Sequence, residues 1–424
     1  MFRRKMGLTF LVVFLVMLLA TPSAFAAREA KLIFNGQEYK ADITIKDGVS
    51  YASAKALAKI PGLEVGDDPI VPIRKLFESQ GGEVSWDQDN WQVIVSWREK
   101  SGDFTADELA VKSSELLKEV NSYKLKAYTT MEFQLEGNEA LSKMFKMPSK
   151  IEANIEGDFQ YEPMAMYIKQ TMKLPLEELG ISPEEMEAAG LTDEIVTEMV
   201  WQDNAIYQKD TNTGVWIYQD LTGIEEMQGF NSLMQITPQQ SLEMMKKAGV
   251  INVFGEDVVR NGREYYTIKN YIDTESYRSL TEQLLENIDF ASLLAALGAQ
   301  AQGVDDLGPY FQKVVEVMLN SMSIDYRVDT LINKETLLTD YMTLDLEMTV
   351  DLKQMMEAIA ETMELGEDEK AEIPESPMLL KLKMKVDYQL YDYGVEPELP
   401  DLSNAISQEE YIQQLMENMS NFEE

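Results

Sequence analysis

The chain has no cysteine and no histidine. Without cysteine there are no disulfides, so stability has to come from buried apolar surface. A lipidated cysteine behind an export signal is excluded by the same absence. Without histidine there is no imidazole to ligate zinc or copper, or to act as a general base near neutrality. Basic residues are scarce too: 37 Lys and Arg face 74 Asp and Glu, a formal net charge of −37. Such a surface repels nucleic acid and anionic membranes and reads first as a solvated exterior. No phosphate loop, glycine-rich dinucleotide turn or serine elbow occurs. With so many acids, carboxylate pairs arise by chance, and none marks a glycosidase. A non-enzymatic protein without metal or cofactor is expected.

Residues 1–26 have the plan of a secretory signal peptide. Arg3, Arg4 and Lys5 precede an apolar run from Leu8 to Ala20, and Ala24-Phe25-Ala26 supplies the small residues read at cleavage. The run is short for a bilayer, and no later segment approaches the ~20 apolar residues of a spanning helix. The reading is export, without stable membrane insertion after cleavage, to an extracellular or cell-wall location. The remaining length suits two or three domains. The expected division is 27–100, 101–395 and an acidic C-terminal tail at 396–424.

Residues 27–100 read as a small α+β module. Leu32 and Phe34 lead into Asn35-Gly36, a strong hairpin signal, then into Tyr39 to Ile45 and a second turn at Asp47-Gly48. Ala52 to Ile60 and Ile70 to Phe77 are expected as helices, with Pro72 in a first turn and Gly81-Gly82 as a stop. Val84 and Trp86, then Val93, Val95 and Trp97, form a closing hairpin around Asp87-Gln88-Asp89-Asn90.

The run Val71-Pro72-Ile73-Arg74, then Gly82-Glu83-Val84-Ser85-Trp86-Asp87, then Val93-Ile94-Val95, resembles the copper amine oxidase N-terminal-like domain. This is a stalk module of secreted Gram-positive proteins, and its motif positions here are Pro72, Arg74, Gly82, Trp86 and Asp87. Copper chemistry does not carry over, because it needs histidine ligands. Arg74 is expected to cap or pair within the module, and Trp86 to anchor core or turn. Asp87 to Asn90 begins like a calcium loop but lacks its glycine and distant glutamate.

The larger part carries unusually long period-2 patterns. Tyr123 to Leu135 and Ile151 to Tyr161 alternate apolar with mostly polar residues, as do Met342 to Leu352 and Leu380 to Leu390. Such strands have one oily and one wet face, and a sheet this long must twist and curve. Helices are expected at Leu109–Val120, started by Thr105 or Asp107, at Gln239–Ala248, at Ser279–Ala299 and at Pro309–Met322. The last three are candidates to cover the oily face. The fold class expected is α+β: the small N-terminal module, then a large curved antiparallel sheet, a half-barrel, with helices over its concave face.

That layout resembles the half-barrel lipoprotein-carrier superfamily, the LolA/LppX-like proteins. Two local segments support it, Val200-Trp201-Gln202-Asp203-Asn204-Ala205-Ile206-Tyr207 and Leu331-Ile332-Asn333-Lys334-Glu335-Thr336-Leu337-Leu338. The resemblance implies a lipid or acyl-chain ligand in the concavity. Expected lining residues are Met131, Phe133, Met166, Met199, Leu284, Ile288, Leu344, Leu346, Met348, Leu382, Met384 and Val386. The 26 methionines suit an adaptable pocket. They equally suit an ordinary packed core, which would make this a structural surface protein contacting the wall or another surface protein. Glu184, Glu185 and Glu187 read as a helix face, and Glu364–Glu372 as a solvated loop before Pro374 and Pro377. A polar helix is expected from Gln408 to Met419.

Overall fold

Two short turns set the start of the fold. Asn35-Gly36 (φ 47° and 79°) and Asp47-Gly48 (φ 52° and 76°) are left-handed at both central positions, as a two-residue hairpin requires. They join β1 (Ala30–Phe34), β2 (Gln37–Lys46) and β3 (Val49–Ser53). The structure, a computed structural model, describes residues 30–137, 147–182, 192–211, 213–220, 237–285, 313–362 and 376–420. The expected leader at residues 1–26, the acidic residues at 184–187 and 364–372, Pro374, Ile288 and the 286–312 part of the expected helices lie outside them. The chain divides into two compact units, residues 30–58 with 64–97, and residues 59–63 with those from 98 onward.

In the first unit α1 (Ala54–Leu57), β4 (Ile70–Pro72), α2 (Ile73–Glu78), β5 (Glu83–Asp87) and β6 (Gln92–Ser96) follow. The six strands run in the order β4-β3-β2-β1-β6-β5, with β1 and β6 parallel. Both expected helices are shorter than the sequence suggests. Ala52 pairs with Val71 across β3 and β4, so sheet pairing claims the first residues of each. Pro72 therefore caps α2 in an extended conformation instead of entering its first turn. Leu32, Phe34, Ile73, Phe77, Val93, Val95 and Trp97 form an almost fully buried core. Asn35 fixes it by exchanging hydrogen bonds with the Trp97 backbone, at 3.0 and 2.9 Å.

The second unit has near its start a two-strand turn, β7 (Lys100–Ser101) and β8 (Phe104–Thr105), at the division expected between residues 100 and 101. Thr105 then caps α3 (Ala106–Glu119): its hydroxyl accepts from Glu108 N while Glu108 accepts from Thr105 N. This reciprocal box is worth about 1 kcal/mol. The long strands follow: β9 (Ser122–Glu136), β10 (Lys150–Gln160), β11 (Ala165–Lys173), β12 (Glu194–Gln202), β13 (Ala205–Lys209) and β14 (Trp216–Asp220). Next come α4 (Pro238–Lys247), β15 (Asn252–Phe254), β16 (Val258–Arg260), β17 (Arg263–Asp273) and α5 (Thr274–Leu285). After a helical stretch at 313–320 the chain continues with β18 (Met322–Asn333), β19 (Thr339–Asp351), α6 (Leu352–Thr362) and β20 (Leu379–Tyr391), then β21 (Ile406–Ser407) and α7 (Gln408–Ser420).

Thirteen strands make one curved half-barrel sheet, in the order β15-β17-β18-β19-β20-β9-β10-β11-β12-β13-β14-β21, with β16 also on β17. Every pairing is antiparallel except β14 with β21. The fold class is thus α+β with a curved antiparallel sheet. No helix among the described residues is long and apolar enough to cross a membrane.

Burial raises several tyrosine phenols in this unit. Tyr265 and Tyr167 are pushed up to about 12, each helped by a carboxylate acceptor, Asp340 and Glu198 respectively. Tyr123, Tyr271 and Tyr393 are raised further, again chiefly by burial. A phenol whose folded value exceeds its unfolded value stabilises the fold below about pH 10, and that contribution is lost as pH climbs toward the folded value. The urea midpoint is therefore expected to hold up to about pH 10 and to fall steeply from there to about pH 12. A midpoint flat across that interval would contradict this.

Candidate functional site

The strand registers decide which side chains share a face, because directly opposed residues in neighbouring strands point the same way. One continuous row runs Ile272, Tyr326, Leu346, Met384, Met131, Ile151 across six strands. The next runs Val328, Leu344, Val386, Thr129, Ala153, Met172, Ile195. Met348, Leu382 and Phe133 form a parallel row, and Met199 opposes Ile168. Met166 lies opposite Phe159 on the same side. All the strand residues expected to line a ligand trough therefore share one face. Val386 is buried, while Met131, Phe133, Met166, Met199, Leu344, Leu346, Met348, Leu382 and Met384 are half-buried. Leu284, on α5, is half-buried as well.

The reverse face is a lattice of charge. Asp325, Glu347, Lys383, Glu132 and Lys150 form one row. Ion pairs such as Lys383–Glu347 (3.0 Å) and Lys381–Glu136 (2.7 Å) knit neighbouring strands. These exposed pairs add little stability but keep that face wet.

A cavity of about 390 Å³ opens on the apolar face, further along the same strands. Its floor is Ile268 and Asn270 of β17, Thr330 and Ile332 of β18, Thr339 and Met342 of β19, Leu390 of β20 and Tyr123 of β9. Its roof is Ala110, Val111, Ser114 and Leu117 of α3 with Pro238, Ser241, Leu242 and Met245 of α4, and Asn252 closes one side. The volume is that of a small-ligand pocket, with mostly apolar walls and a few polar groups. The residues expected from the sequence do not line it. They sit nearer the middle of the sheet, and Ile288 lies outside the described residues.

The roof is fastened to the floor from several directions. Ala106 and Leu109 of α3 pack on Phe254, Ile268 and Ile332. The Ser113 and Thr339 hydroxyls are 2.9 Å apart. Lys246 of α4 pairs with Asp107 of α3 at 2.7 Å, and Asn252 Nδ2 donates to the same carboxylate at 2.9 Å. Below, Asp340 is only 6% exposed, and its Oδ2 accepts from Tyr265 (2.9 Å) and from Asn333 Nδ2 (3.2 Å). Tyr393 reaches Thr339 O at 2.5 Å and Asp340 Oδ1 at 3.1 Å, so this cluster ties β17, β18, β19 and the chain after β20 at the cavity's edge.

Sequence reasoning missed this end of the sheet. Asn270 was the available signal: it falls at an inward position between Ile268 and Ile272, where the pattern calls for an apolar residue. A polar groove on the reverse face, lined by Arg98, Glu256, Lys269 and Asp329, has its charges already paired as Arg98–Glu256 and Lys269–Asp329. No cluster of three or more acidic residues able to hold a metal occurs among the described residues.

The motif residues of the first unit have local structural work. Arg74 pairs with Glu78 one turn on, at 2.9 Å. Gly82 leaves room for Trp97, whose Cδ1 would sit 3.0 Å from any added Cβ. Trp86, 37% exposed, packs edge-on against Trp91, and the Asp87 carboxylate accepts from Asp89 N and from Asn90 N and Nδ2 to close the turn.

Fold and cavity together define an α+β half-barrel with a roofed apolar pocket. The family model DUF6612, described as a family of unknown function, matches residues 105–376, and the chain belongs to that family. The match leaves out the first unit, and nothing supports the resemblance of residues 30–98 to the copper amine oxidase N-terminal-like domain. No curated protein matches the chain. Among solved structures, LprF from Mycobacterium bovis is similar at 10% identity and TM-score 0.27, covering 70% of this chain and 96% of that one. The lipoprotein LppX from Mycobacterium tuberculosis is similar at 10% identity and TM-score 0.28, covering 69% and 96%. A DUF1329 family protein from Desulfovibrio piger is similar at 10% identity and TM-score 0.19, covering 69% and 93%. Likeness at this level fixes neither a ligand nor an activity.

Proposed function

We propose that this chain is a non-catalytic, exported cell-envelope protein that binds an apolar, lipid-like ligand between the curved sheet and helices α3 and α4. The observation that carries this reading is the 390 Å³ cavity, walled mainly by Leu, Ile, Val, Met and Ala and continuous with an apolar sheet face whose methionines and leucines are half-buried. It opens to solvent beneath α3 and α4, and its volume lies in the range usual for small-ligand sites. Export rests on the leader pattern at residues 1–26.

The direct test is uptake of the neutral dye N-phenylnaphthylamine, followed by fluorescence, together with native mass spectrometry of protein purified from its own host. Saturable uptake and a co-purifying acyl species are expected. No dye uptake and no bound mass would favour the alternative, a structural surface protein with a filled core.

A further inference from the structure

The walls of the cavity bear on the polar end of its ligand. Among the described residues none that lines it is charged, and its polar groups are hydroxyls and amides: Ser114, Ser241, Thr330, Thr339, Tyr123, Asn252 and Asn270. The neighbouring charged pair, Asp107 with Lys246, is closed on itself, and Asn252 commits its amide N–H to Asp107. Two amide oxygens are left poorly satisfied. Asn270 Oδ1 is buried without a donor among the described residues, and Asn252 Oδ1 receives only a long 3.5 Å contact from Asn270 Nδ2.

Building on the proposed apolar-ligand role, we infer that the site selects a neutral amphiphile, an aliphatic chain ending in a hydroxyl or other uncharged hydrogen-bond donor, and discriminates against carboxylate and phosphate ends. A hydroxyl can donate to Asn270 Oδ1 after a small side-chain rotation. A carboxylate is an acceptor only: it can use wall hydroxyls such as Ser241 and Thr330 but not Asn270 Oδ1, and among the described residues no charged group lines the pocket, the neighbouring Lys246 being already paired with Asp107. Removing an ionised group from water without a partner costs far more than burying a hydroxyl that finds one.

Displacement of N-phenylnaphthylamine by two ligands with the same acyl chain tests this in the full-length protein. At about pH 8, monomyristoylglycerol is expected to displace the dye at concentrations at least about tenfold below those needed for myristate. Lowering the pH to about 5 should close much of that gap, because the acid then binds in its uncharged form. The exposed rim residue Ser241 offers a second handle. Ser241→Lys places a cation at the mouth with little demand on packing, and is expected to admit myristate at pH 8 while Ser241→Ala does not. Equal displacement by both ligands at pH 8, or a preference for myristate, overturns the selection rule and leaves the apolar-ligand reading standing. Failure of the dye itself to bind removes both.

Discussion

Replacing Asp340 by alanine is expected to cost roughly 3–5 kcal/mol of unfolding free energy, from two buried donors left unpaired at about 1–3 kcal/mol each and a small void. The donors are the Tyr265 hydroxyl and Asn333 Nδ2, both directed at Asp340 Oδ2. Asp340→Asn separates the acceptor role from the charge. With its oxygen in the Oδ2 place it keeps both donors, and Tyr393 can still donate to Thr339 O. The nearest cation, Arg263 at 3.7 Å, is largely exposed and contributes little. The asparagine variant is therefore expected to lose less than half as much as the alanine one. Urea denaturation of the two proteins decides it: equal losses would show that the charge matters rather than the acceptor, and an unchanged midpoint for Asp340→Ala would remove the cluster from any account of stability. Because Thr339 also meets Ser113 of α3, the alanine variant should loosen the roof of the cavity along with its floor.

The second large effect is on binding. Met342→Trp sets an indole into the cavity, which is roomy enough to receive it without forcing the neighbours apart. Dye uptake is expected to fall by at least about tenfold while the thermal midpoint changes little. Leu346 stands on the same strand and the same face but outside the cavity wall, so Leu346→Trp is expected to retain the dye. The reverse pattern, binding lost in Leu346→Trp and kept in Met342→Trp, would move the ligand to the middle of the sheet.

Much of the large sheet is legible in the sequence, because strict alternation is a direct consequence of one face being oily and the other wet. Leu344, Leu346 and Met348 in β19, and Leu382, Met384 and Val386 in β20, announce both the strands and the face they share. The short stretches of the first unit are less readable. Ala52 and Ser53 suit a helix as well as a strand, and only the partner Val71-Ile70, distant in sequence, assigns them to the sheet. The cavity was not legible, since periodicity shows which residues face inward but not which helix lies over them. Its roof joins α3 and α4, more than a hundred residues apart in sequence, through Asp107, Lys246 and Asn252. The Asp340 cluster is hidden for a similar reason: one acid in Thr339-Asp340-Tyr341 looks like any other solvent-facing residue until Tyr265 and Asn333 are brought to it.

A broad open ladder of strands is a standing invitation to polymerise, since any bare rim can accept a stranger's backbone. The last part of this chain answers that hazard on one side. Ile406 and Ser407 run alongside Ile217 and Tyr218, the one parallel pairing in the sheet, and Tyr411 of the following helix is hydrogen-bonded to Asp210. The segment thus occupies, with backbone from the same chain, part of the β14 rim that a foreign strand would otherwise need.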